Sequence, residues 1–308
     1  MRTALSLVLI VLLVAAGCAS TEPAKKKKHR VVRKPAARER TVEPSSPPQA
    51  PPAKNAAPER REPSGSEAAS ALRREERMLL PTVVNLPDRS VLVLVAGGKH
   101  LIGGLDLPKG RISGESSASR FEFLDSFYMD LTEIRVDQFK AFDPEYDEKP
   151  FTGGKECPRC PAMGINWETA TRYCASMGKR LPTEAEWEAA ARSASNFVFP
   201  WGNTFSGDRA NLQGGDDGFA GVAPVGSFPL GASPFGVLDL AGNVWEWVST
   251  PHTPVPLRPG AGEKQFLQVI KGGGWSSGPD MARISHRQIV EPGLKNPTFG
   301  FRCVKTAE

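Results

Sequence analysis

Aromatic residues are absent from the first 120 residues of this 308-residue chain: all 24 of them (15 Phe, 6 Trp and 3 Tyr) lie at or after Phe121. Glycine is distributed in a similar way, because 28 of the 30 glycines follow residue 77. Aromatic side chains bury the largest apolar areas in protein cores. The sequence therefore predicts one folded domain, residues 78–308, preceded by a segment that cannot build a core of its own.

The formal net charge of +5 divides at the same place. Residues 1–77 hold 16 Lys+Arg and 8 Asp+Glu, a balance of +8, whereas residues 78–308 hold the remaining 23 and 26, a balance of −3. A nucleic-acid-binding domain concentrates positive charge on its folded part. Because the folded segment here is mildly acidic, nucleic acid is not an expected partner.

The first 17 residues have the pattern of a signal peptide. An apolar run of 13 residues, 4–16, follows Met1 and Arg2 and is shorter than the roughly 20 residues that span a bilayer. The run ends in AAGC, which resembles a bacterial lipobox and implies cleavage before Cys18 and lipidation of that Cys; an ordinary secretory signal with an incidental Cys is the alternative. We expect a protein of the bacterial cell envelope, held at the membrane through Cys18. Ala19 favours the outer membrane, facing the periplasm or the surface, if the source is an ordinary Gram-negative bacterium.

Residues 18–77 predict a disordered tether that begins at the lipidated Cys. Positions 19–77 hold nine prolines, one glycine and no aromatic residue, with a run of four lysines at 25–28. Such a composition buries too little apolar surface to offset the entropy of ordering the chain. The lysine run is either a solvated spacer or a polybasic contact to anionic lipid or cell-wall polymer.

The folded segment predicts few regular elements. Residues 91–95 (VLVLV) read as a buried strand, residues 121–129 as a second strand and residues 136–142 as a short helix. Asn166 is placed to cap a helix over 167–177, and Thr183 with Glu186 forms a capping box for a helix through Arg192. The rest is rich in loops, and such folds usually need metal ions or disulfides to hold them.

Five motifs follow one another in the folded segment. They are KRLPTEAEWEAAAR at 179–192, FPWGN at 199–203, DLAGNVWEW at 239–247, KGGGW at 271–275 and GFRC at 300–303. In this order and spacing they resemble the formylglycine-generating enzyme family, also called the sulfatase-modifying-factor domain, over residues 92–304. The resemblance implies an α+β fold, a variant of the C-type lectin fold that is irregular, low in secondary structure and binds calcium.

The same resemblance implies two structural calcium sites made of carboxylate, amide and carbonyl oxygens, which are the ligands that Ca²⁺ prefers. Ordinary Asp/Asn/Gly turns are the alternative at both places. The first site matches Asn211, the Leu212 carbonyl, Asp217 and the Phe219 carbonyl, and the second matches Asp239, the Gly242 carbonyl, the Val244 carbonyl and Glu246.

Removing Cys18 from the five cysteines leaves four, an even number that allows three pairings. Cys174 and Cys303 match a disulfide of the family. The remaining Cys157 and Cys160 are separated by two residues, so a small local disulfide, a redox CxxC pair and half of a zinc site are the alternatives. Because the chain is expected to be exported and has no second CxxC, we favour the local disulfide.

The resemblance fails at the active site. The family's oxidases bind copper(I) through two cysteine thiolates that follow the GGSW-type motif, five residues apart. Ser277 and Ala282 stand at those positions, and Gly274 replaces the family's Ser. Neither Ser nor Ala can replace a thiolate as a ligand of this soft ion. We therefore expect no copper and assign no catalytic residue.

A scaffold without its catalytic thiols favours binding over catalysis. The candidate groove residues are Trp275, Arg283, His286 and Arg287, and the expected partner is an envelope protein or peptide. The first alternative is a formylglycine-generating-type oxidoreductase that acts on protein cysteine through an unrecognised site. The second is calcium-dependent binding of glycan or cell wall.

Overall fold

A computed structural model describes residues 82–104, 118–214, 217–256 and 264–307. The predicted signal peptide, Cys18 and the tether lie outside these residues. No helix of the described part combines the length and apolarity needed to cross a membrane. The helices are α1 (Val136–Phe142), α2 (Trp167–Ser176) and α3 (Glu184–Arg192). The strands are β1 (Thr82–Asn85), β2 (Ser90–Val95), β3 (Gly98–Ile102), β4 (Arg120–Leu124), β5 (Phe127–Asp130), β6 (Trp245–Pro256), β7 (Lys264–Lys271), β8 (Arg287–Val290), β9 (Phe299–Gly300) and β10 (Val304–Thr306).

The strands form two four-stranded sheets and one hairpin. The first sheet has the order β1-β2-β5-β10 and is antiparallel throughout. The second has the order β8-β7-β6-β9, with β6 and β9 parallel. Strands β3 and β4 pair with each other as a separate antiparallel hairpin. Since β9 belongs to one large sheet and β10 to the other, residues 299–306 connect the two.

The single strand expected over 121–129 is wrong, because the chain forms β4 and β5 with a break at Asp125 and Ser126. The Ser126 hydroxyl accepts a hydrogen bond from the Gly97 N–H at 2.8 Å, which fixes the corner between the hairpin and the first sheet. The alternating pattern over 121–129 therefore covers two strands whose aromatic side chains differ in exposure. Phe123 in β4 is 78% exposed, whereas Phe127 in β5 is buried.

Both expected helix caps are confirmed. The Asn166 side chain accepts a hydrogen bond from the Thr169 N–H at 3.0 Å at the start of α2. At the start of α3, the Thr183 hydroxyl accepts from the Glu186 N–H at 3.1 Å, and the Glu186 carboxylate accepts from the Thr183 N–H at 2.8 Å. These local bonds satisfy backbone donors that have no partner within the helix.

The main apolar core lies between α1, α2 and the second sheet. Phe139 of α1, Tyr173 of α2 and Phe301 of the C-terminal segment form a mutually contacting group of rings, with centroids 5.3–6.1 Å apart. The Cys174–Cys303 disulfide is buried in the same cluster and ties α2 to the end of the chain. A second cluster surrounds Trp187 of α3.

A buried ion cluster lies beside this core. The Lys179 ammonium donates to Asp88 at 2.6 Å and to both carboxylate oxygens of Asp130 at 2.9 and 3.0 Å. The Tyr173 hydroxyl also donates to Asp88, at 3.1 Å. The Lys179 side chain is fully buried. The cluster joins the turn before β2, the end of β5 and the segment before α3.

Candidate functional site

The KGGGW motif opens a loop that hydrogen-bonds to both of the segments predicted to bind calcium. The Gly242 N–H donates to the Gly272 carbonyl at 2.9 Å, and the Trp275 N–H donates to the Asn243 carbonyl at 2.8 Å. From the other segment, the Gln213 N–H donates to the Ser277 carbonyl at 3.0 Å. The loop that contains Ser277 and Ala282, which match the family's copper ligands, is therefore hydrogen-bonded to both segments predicted to bind calcium.

The two positions that match the copper ligands are filled by local structure. The buried Ser277 hydroxyl accepts a hydrogen bond from the Gly274 N–H at 3.0 Å and closes a tight turn. Ala282 is completely buried in a small apolar cluster. That cluster also contains Ala210, Leu212 and Ala241, with Trp201 packed against it. Neither position presents a free polar group.

Gly274 is packed as closely as its neighbours. A Cβ atom at this position would lie 3.2 Å from Thr298 Cβ and 3.2 Å from Trp245 Cδ1. Real Cβ contacts are rarely this short, so the Ser that the family has here would require Thr298 and Trp245 to move. The surroundings have closed around the glycine.

The candidate groove residues do not share one surface. Arg283 and His286 are buried, whereas Trp275 and Arg287 are partly exposed. Burial, together with the positive charges of Lys271 and Arg283, lowers the pKa of His286 to about 4. Its Nδ1 atom makes no hydrogen bond with the described residues.

Arg287 lines a different surface, an open cavity of 1090 Å³ between β4 and the start of α3. Its guanidinium pairs with Glu184 at 3.0 Å, and Arg180 pairs with Glu186 at 2.6 Å on the same wall. These pairings balance the positive and negative charges there.

The described residues of the first predicted calcium segment contact one another. The Asp217 carboxylate accepts hydrogen bonds from the Leu212 N–H at 3.2 Å and the Phe219 N–H at 2.9 Å. Asn211 is buried, and its side-chain amide donates to the Asn243 amide oxygen at 3.1 Å. The four predicted residues therefore lie together, and Asn243 links them to the second segment.

The second predicted segment approaches the first so closely that Gly242 must be a glycine. Its φ is +79°, and a Cβ atom would lie 2.3 Å from the Asn211 carbonyl oxygen. Asp239 also has a positive φ, 58°, and its carboxylate accepts a hydrogen bond from the Gly226 N–H at 2.6 Å. Burial raises the pKa of the Asp239 carboxyl.

Glu246 of this segment is held by a cation. The guanidinium of Arg302 donates to both of its carboxylate oxygens at 2.7 Å, and the Trp187 indole N–H donates to one of them at 2.7 Å. Both charged side chains are fully buried. The Arg302 guanidinium also donates to the Asp130 and Leu238 carbonyls.

A third buried carboxyl, Glu133, lies beside Asp239 and was not singled out by the sequence. One of its oxygens accepts a hydrogen bond from the Asn243 side-chain amide at 3.0 Å, and the other, Oε2, is buried with no hydrogen-bond partner in the described structure. Burial and the negative charges of Asp239 and Glu246 raise the pKa of Glu133 well above its usual value.

Both loops offer the oxygen chemistry of a calcium site, and an orphaned buried carboxylate oxygen is what a missing hard cation would leave. Within the described residues, no three His, Cys, Asp or Glu side chains converge as a preformed metal cage. Half of each predicted ligand set consists of backbone carbonyls, so a cage made of side chains alone is not expected at either loop. The two loops therefore offer oxygen ligands of the kind that calcium prefers, but both carboxylate oxygens of Glu246 in the second loop are already paired with Arg302.

The four cysteines of the folded domain are all in disulfides, Cys157 with Cys160 and Cys174 with Cys303. Both pairings are as expected. They leave no free thiol between residue 78 and the end of the domain.

The motifs, the loops and the disulfides agree with a comparison against known families. The family described as the sulfatase-modifying factor enzyme 1-like domain matches residues 82–307. This chain belongs to that family. The expectation from the five motifs is confirmed.

Similar sulfatase-modifying-factor proteins include one named as inactive and one named as an enzyme. "Inactive C-alpha-formylglycine-generating enzyme 2" of Mus musculus is 38% identical over 172 residues, which cover 51% of this chain and 53% of that protein. Formylglycine-generating enzyme of the same organism is 38% identical over 166 residues, covering 46% of this chain and 43% of that protein. The chain therefore spans about half the length of the curated relatives that it matches. Because both are equally similar to it, overall identity does not decide whether it is active.

A solved structure supports the same fold. PvdO from Pseudomonas aeruginosa aligns with a TM-score of 0.59 at 23% identity, covering 74% of this chain and 98% of that chain. The fold is the expected α+β arrangement, the sulfatase-modifying-factor variant of the C-type lectin fold.

Sequence reasoning found the loops of this sulfatase-modifying-factor domain but missed two of their polar partners. Glu133 lies between Thr132 and Ile134 in a segment without a motif, and no local signal points to it. Asn243 lies inside DLAGNVWEW, and its amide donates to Glu133 and accepts from Asn211. A motif search that treated every polar residue as a candidate would have found Asn243.

Proposed function

We propose that this protein is an exported, lipid-anchored envelope protein whose sulfatase-modifying-factor domain binds an extended peptide or a partner protein and does not generate formylglycine. One observation carries the proposal. The two positions that would need copper-binding thiolates are a Ser that closes a turn and an Ala packed in an apolar cluster. Soft thiolate ligands are what copper(I) requires.

The state of the other cysteines supports the same conclusion. Every thiol of the folded domain is consumed in a disulfide, so none is available to replace the missing pair. The packing around Gly274 also leaves the family's Ser crowded against Thr298 and Trp245. The three departures from the family's pattern, at positions 274, 277 and 282, support loss of the copper site.

The anchor belongs to the proposal as well. Cleavage before Cys18 and lipidation of that residue would hold the folded domain at the membrane through a proline- and lysine-rich tether. The lysines at 25–28 would add electrostatic attraction to anionic lipid beside the anchor. Metabolic labelling with a palmitate analogue tests this: wild-type protein takes up the label and the Cys18→Ser variant does not.

We also propose that calcium stabilises the two acidic loops. The ligands would be Asn211, Asp217, Asp239 and Glu246, with carbonyls of the same loops. A hard cation there would screen buried carboxylates that have too few cationic partners. Chelation should therefore lower the melting temperature by about 5 to 10 °C relative to a hundredfold excess of calcium over its dissociation constant.

Two measurements on the purified chain test the binding role. The first incubates it with copper(I), oxygen and a peptide that carries the family's CxPxR-type target, with a formylglycine-generating enzyme as positive control. We expect no mass loss on the peptide. Formylglycine would overturn the proposal in favour of an oxidoreductase with an unrecognised site.

The second measurement selects ligands from a displayed library of random peptides. We expect enrichment of a discrete sequence, whose free peptide then binds in solution without being modified. Enrichment of nothing, together with calcium-dependent retention of the protein on envelope polysaccharide, would overturn peptide binding in favour of glycan binding.

A further inference from the structure

Strand β1 lies at the edge of the first sheet but has the composition of an interior strand. It pairs with β2 alone, in the order β1-β2-β5-β10, and the register of that pair is unbroken. Its sequence, TVVN, begins with three β-branched residues, and no charged residue occurs between Thr82 and Leu86. Edge strands usually carry a charge, a proline or a bulge that prevents further pairing. None of these is present within residues 82–86.

Apolar side chains are exposed on both faces of β1. Val83 lies opposite Leu92 of β2, and Val84 lies opposite Val91. Leu92 is 1% exposed, whereas Val83 is 41% and Val84 is 57% exposed. Because neighbouring residues of a strand point to opposite faces, a further strand beside β1 would cover both valines.

The backbone of β1 also has hydrogen-bonding groups that β2 does not use. In an antiparallel pair, the N–H and C=O groups of alternate residues point towards the partner strand, and those of the residues between point away from it. Within the part of the chain that the structure describes, no backbone–backbone hydrogen bond joins residues 82–85 to a segment other than β2. An added strand would satisfy the outward groups, which is how extended segments join an exposed sheet edge.

The opposite edge of the same sheet is closed to such pairing. Strand β10 carries the exposed Lys305, and its Val304 exchanges two backbone hydrogen bonds with Arg180, at 2.7 and 2.9 Å. A strand cannot pair along β10 without displacing that segment. The first sheet therefore has one open edge, and a second copy that pairs there would form a closed dimer instead of a filament.

We propose that β1 pairs antiparallel with β1 of a second copy of the chain, so that the two four-stranded first sheets become one continuous sheet. The twofold axis of such a pair places one residue opposite its own copy, either Val83 or Val84, and β-branched side chains then meet across the axis. A second copy fits better than a charged peptide, because the edge has no charge that would select one and is complementary to itself. This pairing goes beyond the proposed function and does not depend on it.

The pairing is expected to be weak in solution. Pro81 and Pro87 flank the strand and lack the N–H groups that would extend the ladder, which confines it to residues 82–86. Interfaces this small belong to transient complexes. Anchoring through Cys18, as proposed above, would confine the copies to one membrane and raise their effective concentration.

Disulfide trapping tests the pairing in the full-length chain with Cys18→Ser. The other four cysteines are already in disulfides, so each introduced Cys is the one free thiol. Val83→Cys and Val84→Cys are made separately and oxidised at protein concentrations from about 10 µM to about 1 mM. Opposed residues of an antiparallel pair have Cα atoms about 4.5 to 5.5 Å apart, within the range of a disulfide. We expect at least one of these variants to form a covalent dimer, in a yield that rises with concentration.

Val91→Cys is the matched control. Val91 is 39% exposed, as Val83 nearly is, but it lies on β2, one strand away from the edge. In the proposed dimer the two copies of β2 are three strand spacings apart, about 14 Å, which is too far for a disulfide. The control should therefore stay monomeric. A covalent dimer of Val91→Cys in the same yield would show face-to-face or nonspecific association and overturn the edge pairing.

Val84→Lys provides a measurement that does not depend on oxidation. The substitution gives the edge a charge and brings two ammonium groups close together across the axis. Sedimentation equilibrium should show a dimer dissociation constant at least about tenfold higher than that of the parent. The melting temperature of the variant at low concentration should stay within about 2 °C of the parent, because Val84 is more than half exposed.

A parent chain that is monomeric at about 1 mM, with no covalent dimer from Val83→Cys or Val84→Cys, would overturn the proposal. If that monomer also protects the amides of residues 82–85 from hydrogen exchange when a peptide from the displayed library binds, the edge accepts a peptide and the second copy is excluded.

Discussion

Two parts of the molecule differ in how their polar groups are paired. In the framework, formed by the Cys174–Cys303 disulfide and the Lys179 ion cluster, every charged group has a partner of opposite sign at 2.6–3.0 Å. In the pocket, formed around Gly274, Ser277 and Ala282, the groups that would carry chemistry are replaced by a turn and by apolar packing.

The difference shows that the fold does not depend on the catalytic thiols. The framework connects elements far apart in the sequence, so loss of any member would leave a buried group without its partner. The pocket residues connect only neighbouring loops, and their loss can be repaired by local packing.

The largest effect that would test this contrast is loss of the framework disulfide. Cys174→Ala with Cys303→Ala opens a loop spanning 129 residues and should lower the free energy of unfolding by about 5 kcal/mol in the chain-entropy treatment. The same change at Cys157 and Cys160 opens a loop with a separation of only 3 and should cost about 2 kcal/mol. Guanidinium unfolding of both variants measures the difference. Equal losses would show that the long disulfide is not a main support of the framework.

Removing the buried ammonium should come next in size. Lys179→Met leaves Asp88 and Asp130 without their cation, and breaking a buried ion pair from one side costs about 3 to 5 kcal/mol. Lys149→Met is the control, because Lys149 is half exposed and lies 3.6 Å from an exposed Glu156. That pair should change stability by less than about 1 kcal/mol. If the two variants unfold at the same denaturant concentration, the ion cluster does not support the framework.

An intermediate effect, which depends on pH, is expected at His286. Its pKa is lowered to about 4 by burial and by Lys271 and Arg283, while an unfolded chain protonates it near 6.5. The unfolded state therefore binds more protons between these values, so stability falls as pH falls from 6.5 to 4, by about 2 kcal/mol. In His286→Gln this part of the pH dependence should disappear. Parallel stability profiles for the two proteins over that range would contradict the buried, neutral state of His286.

The smallest effect probes the pocket itself. Gly274→Ser restores the residue type of the family and should cost about 1 kcal/mol, since its Cβ would crowd Thr298 and Trp245. Gly278→Ser, four residues on, meets no atom within 4 Å and should change stability by less than about 0.5 kcal/mol. Thermal melting of the pair is sufficient. A neutral Gly274→Ser would show that the pocket is still open.

The sequence predicted the elements that are specified locally. The starts of α2 and α3 follow from side chains within three residues of the helix, Asn166 to Thr169 and Thr183 to Glu186, so a short window contains the whole interaction. The break between β4 and β5 was missed because Ser126 bonds to Gly97, which is 29 residues away.

The polar partners that the sequence did not reveal are separated by longer distances along the chain. Lys179 and Asp88 are 91 residues apart, and Asn243 and Glu133 are 110 residues apart. Nothing in the local pattern of either residue specifies the other, because the contact exists only once the sheets have assembled. The family motifs located the loops in the sequence. The charged side chains that the loops enclose could be identified only from the three-dimensional structure.

The arrangement of the last strands has a consequence for biosynthesis. Residues 299–306 supply β9 to one sheet and β10 to the other, and Cys303 closes the long disulfide between them. Neither sheet is complete until these residues have left the ribosome, so a nascent chain has no finished domain to fold early. The proposed export would require a polypeptide that stays unfolded until it has been threaded through the translocation channel, and this order of completion meets that requirement. It also means that a stalled or clipped product lacking these few residues would be recognised by proteases as unfolded.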